Sequence, residues 1–274
     1  AQAQVERLEE ASSVHRTSCN GGHMVWHEWG HGPPLVLMHG GFGSWMHWIR
    51  NVEALALHYR VLAADIPGLG ASDAVCDNPT PQSIGTVVAQ GLRELVGDEP
   101  LHLTGFSFGA LISGQVCLQF GGQVRTFTLV GASGMDLPRP SMELMRRHDG
   151  MAQAERLAAL KHNLNTLMLR HPSSIDELAI YVQEWNDAHS RVRSRRMSLG
   201  DSLALALPDI TARLGGIWGE LDATAGEFLD LRADLLRHSQ PDVPFTVIPD
   251  AGHWVQYEAA EAFNATLLEY LRAS

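Results

Sequence analysis

Apolar residues fall into short unbroken runs set between glycine- and proline-rich turns. Leu35 to Met38 reads as a strand buried on both faces and Arg60 to Ala64 as a second buried strand, and Leu101 to Thr104, Phe127 to Val130, Leu214 to Trp218 and Phe245 to Ile248 read as further strands. Gly22 to Trp29 alternates instead and reads as a half-buried strand, followed by a turn over Gly30-His31-Gly32-Pro33-Pro34. Helical spacing marks residues 3–11, Ser83 to Leu95, Phe228 to Leu236 and Ala259 to Leu271, the last with Phe263, Leu267 and Tyr270 on one stripe. Strands alternating with helices predict an α/β protein with a doubly wound, mostly parallel sheet. Sites in such sheets lie at the carboxyl ends of the strands.

From Met135 to about Leu205 the strand-like runs vanish and helical spacing takes over. The pattern predicts a core built from residues 1–134 and 206–274, with a helical cap inserted over 135–205. Met135, Met142, Met145, Met151, Met168 and Met197 fall in this insertion, six of the nine methionines. Methionine suits an adaptable pocket wall, and equally suits packing of the insertion on the core.

A length of 274 residues fits one large domain with an insertion. The formal net charge of −11 argues against nucleic acid or an anionic membrane as partner. Cys19, Cys76 and Cys117 are scattered and form no Cys-x-x-Cys, which points to a reducing, cytoplasmic setting. No signal peptide is expected in the polar first twenty residues, and no apolar run approaches the length of a membrane span.

Leu101 to Thr104 leads into Gly105-Phe106-Ser107-Phe108-Gly109, and Ala110, Leu111, Gly114, Cys117 and Leu118 then follow at helical spacing. A serine at a strand-to-helix turn needs small neighbours, and its oxygen then stands at the positive end of a helix. Alone, the motif also fits an ordinary glycine-rich turn. A serine hydroxyl needs a base, and the base needs a carboxylate to orient it. Fourteen histidines are available, and position selects His253, on the loop after the last strand. Asp222 lies just past the strand before that, while Asp136, after the strand that follows the elbow, is a competing acid.

The chain resembles the α/β-hydrolase fold superfamily through His39-Gly40-Gly41, Asp65-Ile66-Pro67-Gly68-Leu69-Gly70-Ala71-Ser72, Gly105 to Gly109, Gly219-Glu220-Leu221-Asp222 and Gly252-His253. The resemblance implies Ser107 as nucleophile, His253 as base and Asp222 as orienting acid. It implies an oxyanion hole from the backbone N–H groups of Gly41 and Phe108, and a structural role for His39. Asp65 is expected to hold its own turn. The segment Gly252 to Glu258, and Gly43 to Asn51, are further similar to the meta-cleavage product hydrolases, which cut carbon–carbon bonds in vinylogous diketones. The chain departs from that subgroup at two places, with Phe106 where an Asn precedes the nucleophile and His47 near the oxyanion loop.

Phe42, His47, Phe106 and Trp254 are expected to contact substrate. An apolar pocket favours a carboxylic ester with a hydrophobic or aromatic group, cleaved through an acyl-enzyme. Carbon–carbon hydrolysis, perhydrolysis and acyl transfer are alternatives on the same triad, and a ligand receptor is the non-enzymatic one. The expected partner is a small molecule, with no metal and no organic cofactor. His23, His27 and His31 share a strand face, but positions four apart lie about 13 Å apart, too far to share one ion. A solvated sheet edge is the plainer reading. Arg191, Arg193, Arg195 and Arg196 read as a solvated face, or as the source of one arginine that selects a substrate carboxylate.

Overall fold

The unbroken apolar runs become neighbours in one sheet. A computed structural model describes residues 1–148 and 150–272. Asp149, within the expected cap, and Ala273 and Ser274, at the end of the expected core, lie outside the described residues. The strands are β1 (Ser13–Cys19), β2 (Gly22–Trp29), β3 (Pro34–Met38), β4 (Arg60–Ala64), β5 (Leu101–Phe106), β6 (Val124–Val130), β7 (Arg213–Gly219) and β8 (Phe245–Ile248). Their spatial order is β1-β2-β4-β3-β5-β6-β7-β8. The β1–β2 and β2–β4 pairs are antiparallel and every other pair is parallel. The crossovers leave β3 and β5 side by side, so the loops that follow them open together at the carboxyl edge.

The helices are α1 (Gln2–Glu10), α2 (Val52–Ala56), α3 (Pro81–Val96), α4 (Phe108–Phe120), α5 (Gln153–Asn163), α6 (Glu177–Ala188), α7 (Ser194–Ser198), α8 (Ser202–Ala206), α9 (Leu229–Ser239), α10 (Val255–Glu258) and α11 (Ala260–Arg272). Ile84 and Val88 of α3, much of α4 and Leu203 of α8 pack on one face of the sheet. Val5 and Leu8 of α1, Val52 and Leu55 of α2, and Phe263 and Leu267 of α11 cover the other. Each such fully buried side chain contributes about 1.5–3 kcal/mol. Between β6 and β7 the described residues form helices α5 to α8 and loops, with no strand. No helix among the described residues is long and apolar enough to cross a membrane.

Three expectations need correction. β1 has no strand-like period in the sequence, because its outer positions are polar and exposed. An Asn20-Gly21 turn with φ of 45° and 84° folds it onto β2. With β1 in place, β2 is not a sheet edge, and of the three histidines His23 and His31 are exposed while His27 is buried. His27 is 6% exposed and stacks on Trp29 at 5.8 Å, with Trp45 at 5.1 Å. Among the described residues no cluster of His, Cys, Asp or Glu has metal-binding spacing. Lastly, α4 has no single apolar face. Nearly all of it is buried, since α3 and α8 flank it, whereas Leu118 is 42% exposed.

Burial holds His27 well below its ordinary pKa of 6.5, at about 4, with nearby Arg16 adding to the shift. Between those values the unfolded chain binds a proton that the folded chain does not, so stability rises with pH across that window and falls on acidification. His27→Phe should flatten the dependence of unfolding free energy on pH between 4 and 6.5 by up to about 1.4 kcal/mol per pH unit. Denaturant titrations at several pH values measure the slope.

Candidate active site

Ser107 ends β5 and opens α4 with φ 51° and ψ −114°, a backbone that costs an L-residue about 1–3 kcal/mol. Its surroundings fix it there. The Ser107 N–H donates to Val130 O (2.8 Å), and its carbonyl accepts from Ala110 N–H (3.1 Å) and Ser133 N–H (3.3 Å). A Cβ on Gly109 would collide with the carbonyls of Met38 and His39, so only glycine lets α4 sit this close to the end of β3.

Three loops converge on this serine. His253 Nε2 lies 3.0 Å from Ser107 Oγ, and His253 Nδ1 lies 2.9 Å from Asp222 Oδ2. Asp222 is fully buried, and its other oxygen accepts from Thr224 N–H (2.7 Å) and Thr224 Oγ1–H (2.8 Å). Burial pushes the Asp222 carboxyl up. The charge of His253 and the hydrogen bonds from His253 and Thr224 outweigh it and hold the group below its usual range. With Asp222 ionised, His253 Nδ1 carries the proton and Nε2 is free to accept one from the serine. Asp136, the competing acid, is exposed and stands apart from this chain of bonds.

The loop after β3 is held from both sides. His39 Nδ1 donates to Gly40 O (2.7 Å), while His39 Nε2 accepts from Ile66 N–H (2.9 Å). The Gly40 N–H donates to His47 Nδ1 (3.2 Å). Burial keeps both imidazoles neutral, with His39 lowered to about 4 and His47 held well below its ordinary value of 6.5. Asp65 accepts from Trp45 N–H (2.8 Å) and Ala71 N–H (2.8 Å), so it joins this region to the turn after β4. Gly41 and Phe42 follow and face the cleft, Phe42 at φ 50° and 42% exposed. The Phe108 N–H lies at the N-terminus of α4 beside Ser107.

A cavity of about 520 Å³ stands over Ser107. Phe106, Ser107 and His253 form its floor, and Met142, Leu160, Leu164, Leu167 and Met168 form much of its wall. His47 and Trp254, expected to touch substrate, do not line it. Trp254 is fully buried, donates from Nε1 to His47 O (2.8 Å) and stacks on Tyr257 at 4.2 Å. His47 packs edge-on against Phe106 at 5.5 Å, with Trp254 behind it at 5.0 Å. Of the insertion's methionines, Met142 and Met168 line the cleft, whereas Met145 is exposed and Met197 packs on the core. Of the arginine run, Arg195 reaches the cleft rim, while Arg191 donates to Gly70 O and Ser72 O.

The signature of the Alpha/beta hydrolase family matches residues 35–266. The chain belongs to that family. This hydrolase is 28% identical over 256 residues to 2-hydroxy-6-oxo-6-phenylhexa-2,4-dienoate hydrolase of Burkholderia cepacia, covering 88% of each chain. It is 30% identical over 255 residues to a 2-hydroxy-6-oxononadienedioate/2-hydroxy-6-oxononatrienedioate hydrolase of Paraburkholderia phymatum, covering 86% of each. Among solved structures it superposes on the meta-cleavage product hydrolase CumD of Pseudomonas fluorescens with a TM-score of 0.73 and 21% identity, over 94% of this chain and 97% of that one. It superposes on the esterase RhEst1 of Rhodococcus with a TM-score of 0.76 and 20% identity, over 96% and 98%.

Several site residues of the hydrolase escaped the sequence reading. Thr224 was findable, since a threonine two positions after an aspartate is an Asx-turn signal. Glu258 carried no such signal. Its carboxylate accepts from Gly252 N–H (2.7 Å), Arg170 N–H (3.0 Å) and His171 N–H (2.9 Å), so it binds the His253 loop to the helical segment. Trp254 N–H adds a bond to Met168 O (2.7 Å). Glu258→Ala strands three N–H donors and should lower the thermal midpoint, at a cost of about 1–3 kcal/mol. It should also slow labelling of Ser107 by a fluorophosphonate probe, because His253 loses its support. Calorimetry and a labelling time course check both.

Proposed function

We propose that this hydrolase cleaves a carbon–carbon bond next to a ketone in an acid-bearing substrate of the ring-fission type, with Ser107 as nucleophile, His253 as base and Asp222 as orienting acid. The uninterrupted line of hydrogen bonds from Ser107 through His253 to Asp222, at the foot of an apolar cleft, carries the reading. The names of the relatives aligned over most of their length favour the carbon–carbon bond over others.

The chemistry follows from the geometry. His253 Nε2 takes the Ser107 proton as Oγ adds to the ketone carbonyl. The N–H groups of Gly41 and Phe108 receive the resulting oxyanion. With the substrate in its keto form, in which the enol proton has moved to the carbon beside the ketone, collapse of the oxyanion breaks the bond to that carbon, whose electron pair is delocalised into the unsaturated keto acid and takes the proton back from His253. Water, activated by His253 in turn, releases the acyl group from Ser107. The segment between β6 and β7 serves as a cap whose apolar wall excludes bulk water and takes the hydrophobic end of the substrate.

Carboxylic ester hydrolysis is the second reading, favoured by Phe106. An apolar ring, 1% exposed, occupies the position before Ser107 and presents no hydrogen bond to a dienoate. Both reactions pass through the same acyl-enzyme. Loss of absorbance of 2-hydroxy-6-oxo-6-phenylhexa-2,4-dienoate, set beside release of p-nitrophenol from an aromatic ester, separates them. The dienoate should show the higher kcat/KM; a much faster ester reverses the order. Ser107→Ala should abolish both while the protein stays folded. A wild-type protein that turns over neither substrate and resists the fluorophosphonate probe would be a receptor, and the proposal fails.

A further inference from the structure

The segment that carries α7 is fastened to the rest of the fold at both ends. Before it, Arg191 N–H donates to Gly68 O (2.9 Å), and the Arg191 guanidinium donates to Gly70 O and Ser72 O in the turn after β4. Val192, 6% exposed, fills the space beside Gly68, where a Cβ would collide with it. After it, Gly134 N–H donates to Ser198 O (3.0 Å) and Asp136 N–H to Gly200 O (3.2 Å). Ser194, the first residue of α7, is thereby set against the loop after β3. A Cβ on Gly41 would stand 2.4 Å from Ser194 Oγ and 3.7 Å from Phe108 Cβ. The hydroxyl therefore packs on Gly41 at the point where Phe108 also approaches.

Ser194 is 2% exposed and lines the cleft over Ser107. Its hydroxyl has no hydrogen-bond partner among the described residues. A buried hydroxyl without an acceptor is costly, so such a vacancy calls for a ligand or for water. Other polar side chains of the cleft are engaged: Gln183 and Arg147 both donate to Asp187, Asn163 holds the Met145 backbone, and Thr224 holds Asp222. What the vacancy fits follows from the lone pairs of the reacting oxygen. A carbonyl oxygen has two, enough for the N–H groups of Gly41 and Phe108. A tetrahedral oxyanion has three, so a third donor finds its acceptor only once Ser107 Oγ has added. A bond made only then lowers the barrier without tightening the grip on substrate.

We propose that Ser194 is a third donor of the oxyanion hole, supplied by the helical insertion and not by the core. Its Oγ–H is donated to the oxyanion that forms when Ser107 adds to a carbonyl carbon. Held at both ends of its segment, the donor is aimed before the reaction begins and needs no rearrangement during it. The inference rests on the hydrolase reading and applies to a ketone and to an ester alike, since each passes through a tetrahedral oxyanion. It gives the insertion a part in the chemistry besides that of a wall.

A mimic of the tetrahedral state tests it. Trifluoromethyl phenyl ketone takes Ser107 Oγ at its carbonyl carbon; the carbonyl electron pair becomes an oxyanion and the serine proton passes to His253. Acetophenone has the same ring and forms no stable adduct. Titration calorimetry reads the affinity for each, and fluorine NMR reports the adduct. Ser194→Ala should weaken binding of the trifluoromethyl ketone about 10- to 100-fold, as expected for loss of one hydrogen bond to a charged group, and leave acetophenone binding unchanged. The same factor should appear in kcat/KM for p-nitrophenyl benzoate. Ser194→Cys fills the same space with a weak donor and should fall with Ser194→Ala. Equal weakening of both ketones, no weakening of the trifluoromethyl ketone, or a Ser194→Cys protein as active as the wild type assigns Ser194 to the wall alone and overturns the inference, while the hydrolase reading stands. A wild-type protein that forms no adduct and turns over neither the ester nor the dienoate overturns the hydrolase reading and the inference with it.

Discussion

Ser107 sits on a backbone that an L-residue avoids, and the rest of the site depends on the chain being unable to relax it. The restraint is backbone against backbone: α4 lies so close to the end of β3 that position 109 has no room for a side chain. Hydrogen bonds from Ser107 to the end of β6 and to the residues after it fasten the same turn from the other side. Strain held this way is stable because relieving it would mean separating strands from a helix buried almost all round. The serine oxygen is thereby aimed before any ligand arrives, which spares the reaction a reorganisation cost.

The neighbouring loops are fixed by buried polar groups, although His47 Nε2 has no hydrogen-bond partner among the described residues. His39 and His47 grip the two ends of the Gly40 peptide, and burial keeps them uncharged. Asp65, pushed up to about 6 by burial, is offset by backbone donors from Ala71 and Trp45. Among the buried histidines, position in the hydrogen-bond network separates function from framework. His253 meets a carboxylate on one nitrogen and a hydroxyl on the other, whereas His39 spends both nitrogens on backbone.

The sheet was legible because buried parallel strands write themselves as unbroken apolar runs, and such runs stand at β3 to β7, with a shorter one at the partly exposed edge strand β8. The convergence of Ser107, His253 and Asp222 was legible because each follows the carboxyl end of a strand. β1 was hidden, since an edge strand with polar outer positions has no period, although Asn20-Gly21 marked its turn. His47 and Trp254 were misread because an aromatic ring near a motif can face the ligand or stand behind the wall, and sequence separation does not distinguish the two.

The turn α10 comes directly after His253 and Trp254, and it holds the helical segment at two places. Glu258 takes the backbone of Arg170 and His171, and Tyr257 donates to Asp176, which Arg50 also binds. Asp176 in turn caps α6 through Ala179 N–H. This edge of the segment is a pivot welded to the base, so lifting it would carry His253 off Ser107. Any opening of the cleft that keeps the triad intact is then left to its other side, where Arg139 to Arg147 form a stretch without helix or strand.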